Sequence, residues 1–348
     1  MRDRRWRLAA TGLVAAVLVP ACSNAPQTVL EPMGEYARKA DRLWKLTFII
    51  AVGVFVLVQG LVIAAILKFR AKPGDDSLPV QVHGNPRLEV IWTIIPALIL
   101  AGIAVPTVQT IFDVAREPEG ALTIEVIGHR WWWEYRYPDE RIVTANELHI
   151  PAGQPIHLEL TALEAGGTTD AVIHSFWVPA LGGKQDVVPG RVNTLNLEAD
   201  EPGTYIGQCA EYCGLSHANM RLRVVAHTPS DFEAWVAQQQ GPAGEPDPGS
   251  LAAEGRDVFM GSACVGCHAI AGTDARGNVG PDLTHFASRQ VFAGAIFETN
   301  RENLQRWLED PPAMKPMHPE ANPAIGMPDL GLSPAEIDAL TEFLLSLR

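Results

Sequence analysis

The sequence predicts a multidomain membrane protein: a two-helix transmembrane hairpin, then an all-β domain, then an all-α domain. Three observations predict it. Leu46 to Phe69 and Val90 to Phe112 are apolar runs with no charge in their interiors, each long enough to cross roughly 30 Å of hydrocarbon. Alternating apolar and polar residues follow at Leu122 to Ile127, Ile156 to Leu160, Thr194 to Glu198 and Met220 to Val224, with Pro-Gly, Ala-Gly and Gly-Gly breaks between them. Short strands at such spacing build a barrel or sandwich. Beyond a break rich in Gly, Pro and polar residues, a C-x-x-C-H motif lies between two helical patterns.

Charge divides the chain in the same way. Residues 1 to 112 carry 12 Lys and Arg against 7 Asp and Glu, whereas residues 113 to 348 carry 15 against 33. A basic membrane-associated front and an acidic aqueous remainder fit this split, and nucleic acid binding does not. The five cysteines divide into Cys22, the pair Cys209 and Cys213, and the pair Cys264 and Cys267. None remains for a structural disulfide if each pair has a chemical task.

Residues 1 to 22 open with the charged M-R-D-R-R-W-R and continue with an apolar core, Leu8 to Val19, too short to span a bilayer. This predicts a signal peptide. The V-P-A-C that follows resembles a lipoprotein cleavage box, which implies a diacylated Cys22; Pro20 departs from that pattern, and a plain signal peptide or uncleaved anchor is the alternative. Residues 23 to 112 then hold the hairpin. Basic residues balance on the two sides of the first span, so the signal peptide sets the orientation: the 70 to 88 loop in the cytoplasm and everything after Phe112 outside.

In the β domain, residues 113 to 237, the stretch G-Q-C-A-E-Y-C-G-L-S-H-A-N-M from Gly207 to Met220 gathers Cys209, Cys213, His217 and Met220. Two thiolates, an imidazole and a thioether select copper over magnesium, calcium or manganese. His174, in I-H-S-F-W-V-P, is a fifth donor that a Greek-key arrangement can bring alongside. A Cys209–Cys213 disulfide leaves His217 and Met220 unexplained, and a structural zinc site has no use for methionine. His129, His149, His157 and His227 fall outside the ligand spacing and are expected at the surface or hydrogen-bonded.

This block resembles the binuclear copper A site of subunit II of the haem-copper oxidases. The resemblance implies a cupredoxin-like Greek-key fold in which Cys209 and Cys213 bridge both coppers and His174 and His217 each end one. Met220 is then a weak ligand and Glu211 donates its backbone carbonyl, its side chain reaching a magnesium ion shared with subunit I. In G-H-R-W-W-W-E-Y-R-Y, residues 128 to 137, the resemblance makes Trp131 an exposed residue that receives electrons near the copper, while Trp132 is expected to bury its ring in a strand. K-Q-D-V-V-P-G-R, residues 184 to 191, resembles the loop facing subunit I, with Asp186 and Arg191 at that interface. Glu89, in L-E-V-I-W-T-I-I-P, matches the second helix of the family, where this glutamate marks the mouth of a proton pathway; an interfacial carboxylate with no task is the alternative.

Gln238 to Ser250 reads as a linker that would span about 20 Å as a coil or about 40 Å as polyproline II. Residues 113 to 237 hold 8 basic and 18 acidic residues and residues 251 to 348 hold 7 and 13. Two acidic domains repel on average, so the linker is expected to act as a tether between loosely docked partners.

Cys264-Val265-Gly266-Cys267-His268 is the c-type haem attachment signature, with two thioethers to the haem and an axial histidine. Leu251 to Phe259 predicts a helix before it, and Ser333-Pro334-Ala335-Glu336 is a capping box opening a helix with Ile337, Leu340 and Leu344 on one face. Residues 251 to 348 resemble a class I cytochrome c, an all-α fold. The sixth ligand is sought among Met314, Met317, His318 and Met327; Met327 in G-M-P-D-L matches the family's distal loop, leaving Met314 and Met317 as loop or packing residues.

The whole chain resembles subunit II of a caa3-type cytochrome c oxidase. That implies partners in subunit I and other oxidase subunits, membrane lipid, and a cytochrome c or quinol-cytochrome c reductase as donor. It also implies a place in a bacterial cell membrane, with the copper and haem domains on the outer side. Electrons would run from donor to haem c, to copper A, to the oxygen-reducing, proton-translocating subunit I. A copper A subunit of a nitric oxide reductase and a membrane-anchored redox carrier or copper assembly factor are the alternatives.

Overall fold

The computed structural model describes residues 26–70, 74, 81, 84–163, 171–317 and 325–348. The signal segment with Cys22, and His318, lie outside the described residues. The chain divides into two compact units, residues 38–117 and the remainder.

The first unit is helical. α1 (Glu35–Phe69) and α2 (Pro86–Ala115) measure about 50 and 45 Å at about 1.5 Å per residue, so both exceed the hydrocarbon thickness. Each begins before its apolar run. For α2 the reason is local: the Asn85 side chain accepts from the Arg87 and Leu88 amides, and Pro86 occupies the first helical position. Pro96 and Pro106 lie within α2. Lys39 pairs with Asp113 at 3.3 Å. The apolar windows of both helices are unburied within the chain, so they need lipid or other helices to cover them.

The second unit contains the β domain and the C-terminal helices. The strands are β1 (Leu122–His129), β2 (Trp132–Tyr137), β3 (Ile142–Ala145), β4 (Glu147–Pro151), β5 (Ile156–Ala162), β6 (His174–Trp177), β7 (Lys184–Val187), β8 (Asn193–Leu197), β9 (Gly203–Cys209) and β10 (Arg221–His227). They form two five-stranded sheets, ordered β3-β2-β1-β5-β8 and β4-β10-β9-β6-β7. The β1–β5 and β4–β10 pairs are parallel and the rest antiparallel, giving a cupredoxin-like sandwich. All four strands expected from alternation are present as β1, β5, β8 and β10. The residues before α1 dock on this domain through Met33 N–H to Ala180 O and Asp200 N–H to Met33 O.

β2 corrects one expectation. Trp133, Tyr135 and Tyr137 fill the core, whereas Trp132 is half-buried and stacks on His129 with centroids 4.2 Å apart. With a side-chain period of two, a one-residue difference in register exchanges faces. The four non-ligand histidines behave as expected: His129 meets Glu134 at 3.0 Å, His157 meets Asn196 at 2.7 Å, and His149 meets His227 at 2.8 Å.

A helix the sequence reading omitted, α3 (Pro229–Gln239), follows β10 and runs two residues into the expected linker. Thr228 caps it and Pro229 begins it. Its Phe232 and Trp235 cover the sandwich end, with Trp235 stacked on His149 at 4.4 Å.

The C-terminal domain contains α4 (Leu251–Gly261), α5 (Cys264–Cys267), α6 (Arg301–Glu309), α7 (Pro311–Met314) and α8 (Pro334–Ser346); α5 and Trp307 of α6 line a cavity. The capping box at Ser333 and Glu336 is formed in full. α4 crosses α8 at Gly255, where a Cβ would lie 1.9 Å from Ala339 O, so only glycine permits the approach. Phe259 and Phe343 pack beside it at 5.7 Å.

Candidate metal centre and haem cavity

β9 and β10 are antiparallel neighbours, and the segment between them carries most of the donors. Cys209 ends β9, Met220 immediately precedes β10, and Cys209 N–H donates to Met220 O at 2.9 Å, closing the loop. β6 lies beside β9 with Phe176 opposite Cys209, which brings His174 to the same place. The two sulfurs stand 3.8 Å apart, far longer than a disulfide. His174 Nδ1 is 3.9 Å and Glu211 O 3.2 Å from Cys209 Sγ, while His217 Nδ1 is 3.5 Å and Met220 Sδ 3.9 Å from Cys213 Sγ. Each sulfur therefore has its own histidine, and all six expected positions converge.

The pocket is largely dry: His174, Cys209, Cys213 and Met220 are buried, and His217 and Glu211 are partly covered. The hydrogen bond from Cys213, helped by His174, lowers the Cys209 thiol to about 4, and the same contact together with burial raises Cys213. The pair thus gives up one proton readily and holds the other until a cation replaces it. Paired soft sulfurs with one imidazole each, one thioether and one carbonyl fit a two-copper group. Asp186 and Arg191 lie on the surface of the same domain, and Glu89 stands exposed in the first turn of α2.

The C-terminal domain presents a different site. A cavity of about 290 Å³ is lined by Cys264, Cys267, His268, Met317 and Met327 among others. His268 Nδ1 donates to Pro281 O at 2.8 Å, which leaves Nε2 as the available donor to a metal. Burial lowers the His268 pKa, favouring the neutral imidazole a metal requires. The two free thiols, the oriented histidine and the apolar walls fit a covalently held haem. Trp307 Nε1 donates to Met327 Sδ at 3.2 Å, whereas Met314 lines a separate depression on α6 and α7. Met317 is buried against the haem cavity, so it is a wall residue and not only part of a loop.

The two sites meet at Trp131. Its indole Nε1 donates to Cys213 O at 2.9 Å, and its carbonyl accepts from Lys315 Nζ of the C-terminal domain at 2.7 Å. Trp131 is only 1% exposed, contrary to the expected exposed tryptophan, because the C-terminal domain covers its main chain and the copper loop its ring. Both Trp131 and Trp132 line the haem cavity. The contact between domains is also more specific than a tether requires. Val291 N–H donates to Glu147 Oε1 at 2.8 Å, Arg221 N–H to Gly294 O at 2.9 Å, and Ser216 Oγ to Pro316 O at 2.5 Å. Net charge misled because each of these bonds has at least one main-chain partner, which carries no charge.

Lys315 escaped the sequence reading. Burial lowers its pKa to about 7, yet no spacing rule singles out a lysine in K-P-M. The only cue is a lone basic residue beside the distal loop.

Comparisons with known proteins agree with the geometry. Residues 34–110 match cytochrome C oxidase subunit II, transmembrane domain; residues 122–227 match cytochrome C oxidase subunit II, periplasmic domain; residues 252–348 match cytochrome c. Cytochrome c oxidase subunit 2 of Alkalihalophilus pseudofirmus is 40% identical, over 92% of this chain and 91% of the relative. That of Bacillus sp. strain PS3 is 35% identical, over 99% and 98%. Quinol oxidase subunit 2 of Bacillus cereus is 32% identical over 68% of this chain and 80% of its own length. The family implies copper A in the β domain and the C-terminal domain implies haem c, the two groups that the donor sets fit. The chain therefore belongs to the cytochrome c oxidase subunit II family, as an electron-input subunit of a haem-copper oxidase with a cytochrome c domain at its C-terminal end.

Proposed function

We propose that the chain takes electrons from a cytochrome c or a quinol-cytochrome c reductase at its C-terminal domain and delivers them through the β domain to subunit I. The observation that carries this reading is the junction at Trp131, which touches the donor loop by its indole and the haem-cavity side by its carbonyl. When bound, haem c and copper A supply one-electron redox chemistry, and oxygen reduction with proton pumping belongs to subunit I.

Cys209, Cys213, His174, His217, Met220 Sδ and Glu211 O would hold copper A. Hydrogen bonds to the backbone around the donors keep this cage still: Ala210 N–H to Ser175 O at 2.9 Å, Cys209 N–H to Met220 O, and the Trp131 indole to Cys213 O. A rigid, dry cage changes little when an electron arrives, which favours fast transfer. Cys264 and Cys267 would hold the haem and His268 would ligate it. Met327, its sulfur oriented by Trp307, would be the second side chain to hold the haem iron; a methionine ligand raises the potential. Trp131 serves as a bridge between domains in place of an exposed receiver.

The Glu211 side chain, exposed enough to reach a partner, would join a magnesium site at subunit I, and Asp186 and Arg191 would face that subunit. Glu89, at the start of α2, would stand at a proton-path mouth. The unburied apolar helices would be covered by lipid and other oxidase subunits in a bacterial cell membrane, with the redox domains on the outer side. The test is metal analysis and electron paramagnetic resonance on the complex purified from native membrane. Two coppers per chain in a delocalised mixed-valence state, with covalent haem c, are expected; one copper, or a localised signal, overturns the binuclear assignment.

A further inference from the structure

We propose that Lys315 is a positioning residue for electron passage between the two domains: buried in their interface, its side chain holds the Trp131 main chain against the wall of the haem cavity. Lys315 is 2% exposed, and its Nζ donates to Trp131 O at 2.7 Å and Ala293 O at 2.9 Å, one acceptor from each domain. Trp131 is thereby held at both ends, its indole by Cys213 O and its carbonyl by Lys315. Lys315, Trp131 and Ala293 all line the cavity that contains His268. Two hydrogen bonds, one at each end of Trp131, thus connect the Cys213 backbone to a cavity-wall side chain.

Cohesion alone does not explain a lysine here. Burying an ionisable amine among carbonyls carries a desolvation cost that an apolar side chain of similar size does not. What an apolar residue cannot do is fix two carbonyls at hydrogen-bonding distance in defined directions. The surrounding contacts require the same register. Gly294 has φ +82° and touches the bridge so closely that a Cβ would lie 2.6 Å from both Asn219 O and Lys315 Nζ and 2.9 Å from Trp131 O. Pro316, next to the lysine, accepts from Ser216 beside His217.

The inference rests on the proposed function and deepens it. One electron passes, the haem iron being oxidised and the copper pair reduced, with no proton gained or lost at Lys315. The test uses the intact complex with both groups bound. Lys315→Met is expected to slow flash-induced transfer between the centres about tenfold or more, since a displacement of about 1 Å far from the chemistry can cost far more than that. The Arg221 amide, bonded to Gly294 O beside the bridged Ala293, is expected to exchange its hydrogen faster. The haem potential, the spectra and the melting temperature are expected to stay as in wild type, and rates are compared at equal driving force because Lys315 also acts on Cys213 through charge. Gln290→Ala, which removes only the exposed contact to Arg223, is expected to change none of these. An unaltered rate in Lys315→Met overturns the proposal, and so does an equal fall in Gln290→Ala, which would make any contact equivalent. Should Lys315→Met fail to accumulate, Gly294→Ala wedges the same bridge with the lysine present, and an unaltered rate there is equally fatal. A wild-type complex without copper or haem signals would sink the functional reading instead.

Discussion

The loops proposed to carry the copper ligands and the haem's distal ligand are both connections between regular elements, yet they are built in opposite ways. Residues 207–220 join two hydrogen-bonded strands, so the positions of Cys209 and Met220 are fixed by the ladder that ends at Gln208 and Arg221. The connection from α7 to α8, from 315 to 333, is long, and among its described residues no strand pair registers it. Spacing suffices where a regular frame at both ends converts sequence distance into geometry. Without that frame, spacing does not fix the geometry, and the proposed ligand Met327 is placed by tertiary contacts such as the bond from Trp307.

The largest effect that sharpens this contrast belongs to the framed loop. Cys213→Ser is expected to abolish the binuclear copper signal entirely while the haem absorbance persists, as read by electron paramagnetic resonance and optical spectra. Retention of a delocalised signal would break the ligand assignment. In the unframed loop, Met327→Ala is expected to leave the haem covalently bound and to lower its potential by a large part of the roughly 0.8 V that axial ligands control. Redox titration of Met317→Ala is expected to give nearly the wild-type value; the reverse pattern would transfer the ligand role to Met317. A smaller effect is expected for Met220→Leu, which removes only a weak ligand: copper stays bound and its potential shifts, as redox titration would record.

Legibility in the sequence followed the same division. The capping box at Ser333, the C-x-x-C-H motif and the copper spacing were readable because each is a local pattern tied to regular structure. The Thr228-Pro229 helix start was equally local, but a short polar segment beside a linker offered little periodicity to confirm it. The exposure of Trp131 and the role of Lys315 were not readable at all. Both depend on how one domain covers the other, and neither alternation nor net charge encodes that. Domain charges of like sign pointed toward loose association, whereas the interface uses carbonyls and amides from both sides.

The smallest effect concerns the end of the sandwich away from this contrast. Burial, and then the neighbouring His149, depress His227 from 6.5 to about 4. The folded state therefore resists a proton that the unfolded chain accepts, so the stability His227 contributes is present above pH 6.5 and is lost as pH falls toward 4. Melting measured across that window should decline with acidity, and His227→Asn should flatten the decline. An identical slope in the variant would assign the acid sensitivity elsewhere.

A docked interface holds the haem cavity against the donor loop, with the linker secondary. Cutting the chain at a protease site placed between Pro242 and Pro248 tests this most directly. After cleavage the account predicts that the C-terminal domain remains bound, and that flash-induced transfer between the two centres keeps its rate whatever the protein concentration. Transfer that becomes proportional to concentration, or disappears on dilution, would contradict the account and show that the tether maintains the contact.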